Sequence, residues 1–373
     1  MWHGSALVAL REVVRGMNSY YSNLIEGQST HPKSIDAALH KDFSAEPEIA
    51  RRQRVAVAHI EAERELETTM RASGLGADAA LTSAWLIAAH RALYSRLSAA
   101  DRMTGDGLPV EPGELRQRDV LVGRHVPPAA ASIPRFLERL DEVYPKATRD
   151  PTAQLIAIAA AHHRAAWVHP FMDGNGRAVR LQTHCALFPI TGGLWSASRA
   201  LARNRAAYYA RLDAADQPRL GDLDGRGNLT ERGLLDWCEL FVKLCADQVQ
   251  FMNELLDLEN LKRRFNFMIA ARCAEGLLQY RPQLVLPLLH VVALGPVSRG
   301  EFKQMTGLND RTAQASLAQL LSDGLLRSDS PKGAVSFGLP LGALEYLFPR
   351  LYPEAQLPIE TAPETADERR FAP

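Results

Sequence analysis

The chain has 373 residues, 46% hydrophobic and 23% charged, which is the balance of a soluble globular protein and too long for one average domain. Lys plus Arg equal Asp plus Glu at 43 each, so net charge provides no steering toward nucleic acid or an anionic membrane. Residues 1–17 carry Arg11, Glu12 and Arg15 where a secretory signal needs an unbroken apolar stretch, and the apolar run 284–294 is interrupted by Pro287 and His290 and too short to span a bilayer. Cys185, Cys238, Cys245 and Cys273 lack C-x-x-C spacing and read as reduced packing residues, so a cytoplasmic protein without disulfides is expected.

The predicted elements are mostly helical. Residues 4–140 read as helices, with a polar break at 28–34 and a Gly/Pro-rich stretch at 104–113. Val120, Leu121 and Val122, followed by Gly123 and set between Gly113 and Pro127-Pro128, are the one short β signal and predict a small hairpin. Asp150 and Pro151 make an N-cap and first turn, after which Leu155, Ile158, Ala159 and His162 recur at helical spacing up to Trp167. His162 and His163 read as packing or surface residues. Beyond a glycine-rich loop, Ala178, Leu181, Cys185 and Phe188 form an apolar stripe, while Arg177 and Arg180 share another face. A helix at 198–215 carries Tyr208 and Tyr209, a polar loop follows at 217–228, and a helix at 230–270 carries Trp237.

After Tyr280 the segments 284–294, 298–306 and 310–323 predict three short helices with tight turns, and 325–327 with 335–337 predict a two-stranded wing. The expected organisation is a helical region 1–100, a core 101–250, a connecting helix 251–280, a winged helix-turn-helix 281–352 and a disordered tail 353–373. The fold class is all-α with a small β-hairpin.

The densest chemistry lies in His169-Pro170-Phe171-Met172-Asp173-Gly174-Asn175-Gly176-Arg177, followed by Arg180. Glycines let backbone N–H groups approach an anion, the N-terminus of the next helix favours negative charge, and arginines supply forked donors for phosphate oxygens. Asp-Gly or Asn-Gly alone is a turn. Together with the histidine and the arginines they read as a polyphosphate cradle beside a base, with Phe171 facing inward.

This run resembles the signature of Fic domains, H-x-F-x-D/E-G-N-G-R-x-x-R, at every fixed position. The resemblance implies a Fic-type helical core and a protein adenylyltransferase, which transfers AMP from ATP to a Ser, Thr or Tyr hydroxyl of a target protein or of itself and releases pyrophosphate. It implies His169 as general base, Asp173 as ligand of Mg²⁺, Gly174, Asn175 and Gly176 wrapping the α- and β-phosphates with backbone and side-chain amide donors, and Arg177 and Arg180 on the β- and γ-phosphates. At the position of Gly176, related toxins that donate phosphate carry lysine, so AMP transfer is the expected chemistry.

Ser22-Asn23-Leu24-Ile25-Glu26-Gly27 resembles the inhibitory helix motif S/T-x-x-x-E-G/N of many Fic proteins. The resemblance implies that Glu26 pairs with Arg180 and withholds it from ATP, with Ser22 bracing the helix. Glu26 is also a candidate for activating water in AMP removal. By the same resemblance, Val120, Leu121 and Val122 form a flap that pairs with the target backbone, Tyr208 and Tyr209 pack on the adenine side with Trp237 as a further candidate, and a homodimer is one open option for the assembly. The competing reading is a winged-helix DNA-binding regulator with a vestigial core. Its basic residues Arg299, Lys303, Arg311, Arg327 and Lys332 are offset by Asp310, Asp323 and Asp329, so protein docking or dimer formation is favoured over DNA.

Overall fold

The structure, a computed structural model, describes residues 1–28, 30–123, 125–225 and 227–351. In chain order its elements are α1 (Gly4–Ile25), α2 (Pro32–Leu39), α3 (Pro47–Ala72), α4 (Ala77–Ala80), α5 (Ser83–Tyr94), α6 (Ile133–Ala147), α7 (Gln154–Val168), α8 (Asn175–Thr191), α9 (Ala197–Arg203) and α10 (Arg205–Asp216). There follow α11 (Glu231–Leu256), α12 (Leu258–Ala274), α13 (Val285–Leu294), α14 (Arg299–Thr306), α15 (Asp310–Ser322), the strands β1 (Leu326–Arg327) and β2 (Ser336–Phe337), and α16 (Leu341–Leu347). Two compact units result: Asn18–Gln248, and Met1–Met17 with the described part of Val249–Ala362.

In the first unit α8 is the central helix. Every residue from Arg177 to Phe188 is buried, as in a helix surrounded by others. Leu86 of α5, Ile133, Leu137 and Leu140 of α6, Ala165 and Val168 of α7, and Phe171, Ala178 and Val179 form one apolar cluster. The loop between α7 and α8 is therefore anchored at both ends in the core.

Three helix boundaries differ from the sequence reading, each because an Asn or Asp side chain competes for backbone groups. Asp150 does not cap α7; its carboxylate accepts from Thr152 N at 2.9 Å and forms a turn, and the helix begins at Gln154. The helix expected at 198–215 breaks at Asn204, whose Nδ2 donates to Ala200 O at 2.9 Å. The helix expected at 230–270 breaks at Asp257, which caps α12 by accepting from Asn260 N at 2.8 Å. The hairpin expected at Val120–Val122 is reduced to one bridge, Val122 with His125, closed by two 3.0 Å hydrogen bonds.

In the second unit Met1–Met17 joins the C-terminal elements rather than a linear region 1–100. Trp2 accounts for this: its Nε1 donates to Leu256 O at 2.7 Å, and its ring meets Phe337 and Phe348 edge-on at 6.2 and 6.0 Å. Ser298 and Glu301 form a capping box on α14, Asn309 caps α15, and Leu326 pairs with Phe337 in the antiparallel β1–β2 ladder. Arg299 donates to the carbonyls of Ser330 and Gly333, and Lys303 pairs with Asp310 at 2.7 Å, so these two cations are engaged within the unit.

The cysteines are all free, but Cys273 is exposed, not packed, because it lies on the outer face of α12; the other three are buried. The tail expected at 353–373 lies outside the described residues. Among the described residues, no helix is long and apolar enough to cross a membrane.

Candidate active site

His169 terminates α7 in the left-handed region, at φ 47°. That conformation costs a non-glycine residue of order 1 kcal/mol and is held only where the surroundings impose it. Arg116 does so. It is buried, and it donates from Nε to His169 O at 2.8 Å, from Nη2 to Pro128 O at 2.6 Å, and from its backbone N–H to Pro170 O at 2.8 Å. His90 fixes the other side of the loop. Its ring stacks between Phe171 at 3.9 Å and Tyr94 at 4.4 Å, its Nδ1 accepts from Gly113 N at 2.9 Å, and its Nε2 donates to Asp173 O at 3.1 Å.

Phe171 is fully buried, and Asn175 is turned toward it. The Asn175 amide accepts from Phe171 N and donates to Phe171 O, both at 2.9 Å. This corrects the expectation of an Asn175 amide donor to phosphate: the side chain clamps the loop, and what remains for an anion is the backbone at the start of α8. Asn175→Ala should cost about 1–3 kcal/mol for each Phe171 group left unpaired, read as a lower midpoint in denaturant unfolding.

Asp173 and Arg177 meet through Tyr94. Tyr94 OH donates to Asp173 Oδ2 at 3.0 Å and accepts from Arg177 Nη2 at 3.0 Å, while Gly174 N donates to Asp173 Oδ1 at 2.6 Å. Gly174 sits at φ 76°, and a Cβ there would run into the Tyr94 ring, so the position admits only glycine. Burial works against ionisation of Asp173, but Arg177, Gly174 N–H and Tyr94 outweigh it and lower its pKa. The ionised carboxylate is 42% exposed. One such oxygen donor suits Mg²⁺, which takes most of its remaining ligands from phosphates and water.

Arg180 is buried and points at α1 rather than at the loop. Its Nε donates to Ser22 Oγ at 2.9 Å, its Nη2 donates to Ser22 O at 3.0 Å, and Nη2 also pairs with Glu26 Oε1. Glu26 is placed there by the end of α1. Gln28 N bonds to Asn23 O at 2.9 Å and Gly27 N to Leu24 O at 3.1 Å, the two bonds of a Schellman motif, with Gly27 at φ 70°. Tyr209 OH fastens the same helix end by donating to Ile25 O at 3.0 Å. A Cβ on Gly176 would collide with Glu26 Oε1, so the glycine leaves the space the carboxylate occupies.

The expected adenine-side aromatics separate. Tyr209 is 44% exposed, whereas Tyr208 is buried with Trp237 and His162. Thr183 Oγ1 already donates to Val179 O, so His162 Nδ1 donates to Thr183 Oγ1 at 2.7 Å and His162 Nε2 accepts from Tyr208 OH at 2.9 Å. Tyr208 is thus a core residue. Its apolar ring and its one polar atom are both consumed inside the unit. Trp237 is fully buried and donates to Ala159 O at 2.7 Å. His162 and His163 are packing residues with polar partners, His163 bonding Asp216 at 2.8 Å.

Leu121 and Val122 are exposed, and Val120 is half-buried. His125 holds the base of this segment, with Nδ1 on Asp216 Oδ2 at 3.1 Å and Nε2 on Trp167 O at 2.9 Å. Burial opposes its protonation, but Asp216 and the Trp167 carbonyl prevail and raise its pKa.

Burial lowers the pKa of His169 to about 4, with the cations His125 and Arg116 adding to the effect and Glu26 opposing it. A neutral imidazole at neutral pH can accept a proton. Burial also lowers His90 to about 4 and His59 and His162 to about 3. All four are depressed relative to about 6.5, the unfolded value, so below pH ~6.5 the unfolded chain binds more protons than the folded one. Stability is therefore unaffected above pH ~6.5 and is lost as pH falls toward ~4, by up to about 1.4 kcal/mol per pH unit for each histidine. Denaturant unfolding of the chain at pH 7.5 and 5 should show this fall.

Residues 80–187 match the Fic/DOC family. The chain adopts a mostly helical Fic-type fold with a small two-stranded antiparallel sheet. It is similar in fold to a Fic domain containing signalling protein from Bacteroides thetaiotaomicron, with a TM-score of 0.50 at 17% identity, covering 68% of this chain and 90% of that one. The family match is confined to the segment 80–187.

More particularly, it is homologous there to proteins named protein adenylyltransferase Fic. It is 37% identical over 81 residues to that of Drosophila yakuba and 35% identical over 80 residues to that of Drosophila grimshawi. Each match covers 21% of this chain and 16% or 17% of the relative, so the chain spans about a sixth of the length of these relatives.

The sequence reading missed Arg116, His90 and Tyr94. The pair His90 and Tyr94, at i,i+4 spacing on a helix, was the available signal. Arg116 gave none.

Proposed function

We propose that this chain is a protein adenylyltransferase that transfers AMP from ATP to a hydroxyl side chain of a target protein or of itself. The observation that supports this reading best is the convergence of a neutral His169, the ionised Asp173 and the backbone N–H groups opening α8 on one loop, clamped by Arg116, His90 and Asn175. His169 takes the proton of the incoming hydroxyl. The hydroxyl oxygen bonds to the α-phosphorus as the bond from that phosphorus to the β-bridging oxygen breaks, and pyrophosphate leaves with the electron pair. Bound at Asp173, Mg²⁺ would neutralise phosphate charge. Backbone N–H groups at the start of α8 hold the α- and β-phosphates, and Arg177 binds the β-phosphate.

In the state described, Arg180 is withheld from the γ-phosphate. Glu26 occupies its fork and puts a negative charge where that phosphate would lie, so the chain is autoinhibited. The exposed Leu121 and Val122 offer an edge to an extended target segment. The segment from α13 to β2 reads as a docking or dimer-forming module of winged-helix type, since Arg299 and Lys303 are engaged within the unit rather than offered to phosphates.

The test is to incubate the full chain and a lysate with ATP labelled at the α-phosphate and, separately, at the γ-phosphate. AMP transfer puts only the α label into protein. Incorporation of the γ label instead would assign a kinase, and of neither, with any variant of Glu26, would remove the enzymatic reading.

A further inference from the structure

A second cluster lies one helical turn beyond Arg180 on α8, away from the loop chemistry. Glu63 and Glu67 of α3 and His184 of α8 are buried, and one ligand atom from each lies within 4.8 Å of the others. His184 Nε2 is 2.9 Å from Glu67 Oε1 and 3.6 Å from Glu63 Oε1. Bonds of ~2.0–2.2 Å in a tetrahedral Zn²⁺ site separate neighbouring ligand atoms by about 3.4 Å, so these spacings are of the right size.

The independent observation is His59. It is 1% exposed, and neither of its ring nitrogens has a hydrogen-bond partner. Its Nδ1 faces the cluster, 3.9 Å from Glu63 Oε2. Residues 59, 63 and 67 follow one face of α3 at i, i+4 and i+8, the spacing that stacks ligands along a helix. A buried imidazole with no hydrogen-bond partner costs free energy. An imidazole nitrogen and a carboxylate oxygen are both common ligands of Zn²⁺.

We propose that His59, Glu63, Glu67 and His184 form a structural site for a divalent transition metal, with Zn²⁺ the best fit to two nitrogen and two carboxylate ligands. A bound dication would satisfy His59, neutralise the carboxylates and tie α3 to α8. Asn18 of α1 donates to Glu63 Oε1 at 2.7 Å, one turn before Ser22 on the same helix, so the metal would also firm the seat of the helix that carries Glu26. Because the ligands are buried, the ion would be taken up during folding.

The full chain, produced with Zn²⁺ supplied and desalted in excess Mg²⁺, should hold one Zn²⁺ per chain by elemental analysis. Produced instead with Co²⁺, it should show the strong visible absorption of tetrahedral Co²⁺. Glu63→Gln with Glu67→Gln should abolish both signals, and His59→Phe should weaken Zn²⁺ retention against a chelator by at least about tenfold and shift the Co²⁺ spectrum. A wild-type chain without stoichiometric Zn²⁺ and without that spectrum overturns the proposal. So does a His59→Phe variant that melts higher with metal content and spectrum unchanged, since His59 would then be only a poorly accommodated core ring. The wild-type and His59→Phe measurements decide the matter even if the double variant does not fold.

Discussion

Glu26→Gly is expected to raise incorporation of α-labelled AMP by about tenfold to a hundredfold. The expectation follows from what Arg180 does now and what it would then be free to do. Its guanidinium is buried, and burial disfavours its charge, while Glu26 and neighbouring groups compensate and raise its pKa. Removing the carboxylate leaves an intact arginine cation still positioned by Ser22, with its Nη1 beside Gly176. A charge-assisted hydrogen bond to phosphate is worth about 1.5–3 kcal/mol, which corresponds to the stated range if it forms in the transition state. The measurement is initial-rate incorporation at fixed ATP. An unchanged rate in a variant that melts cooperatively would show that the Glu26–Arg180 pair is structural only.

His169→Ala, made in the Glu26→Gly background so that there is a rate to lose, is expected to reduce incorporation by about 10²–10⁴-fold. His169 is half-buried and neutral, held by Arg116 through its own carbonyl, so the ring is oriented from the backbone and only the side chain is deleted. Nucleotide binding should therefore survive the substitution while turnover does not. If incorporation persists within about tenfold, the proton goes elsewhere, and His125, which is also near the loop, becomes the candidate. Since the pKa of His169 lies at about 4, its own protonation should leave the rate flat from pH 6 to 8.

How much of this was legible in the sequence depends on how local each contact is. The loop from His169 to Arg180 was legible because its residues are contiguous, and the helices on either side announce themselves by apolar spacing. Glu26 and Arg180 lie 154 residues apart, and only a resemblance between two motifs, not any periodicity, connected them. Arg116 was invisible because its role is to satisfy carbonyls of a distant loop, a job any buried donor of suitable reach could fill. Asn175 was misread in direction: a Gly-Asn-Gly segment looks like a rim of donors, but its amide fits the paired N–H and C=O of Phe171 and turns inward. Tyr208 and Tyr209 are adjacent on one helix and so face different ways, one into the core and one to solvent, which no composition rule could assign.

The second cluster was likewise out of reach. His59, Glu63 and Glu67 look like an ordinary charged helix face until α8 buries them and brings His184 alongside.

The central claim is that α1 regulates this site by holding the arginine meant for the γ-phosphate. It is tested most directly by comparing the affinities of ATP and ADP, by calorimetry, in the unaltered chain and in Glu26→Gly. The account predicts that the unaltered chain barely distinguishes the two nucleotides, and that Glu26→Gly tightens ATP at least about tenfold more than ADP, since only ATP offers the γ-phosphate to Arg180. An ATP-to-ADP affinity ratio that is the same in both proteins would contradict it.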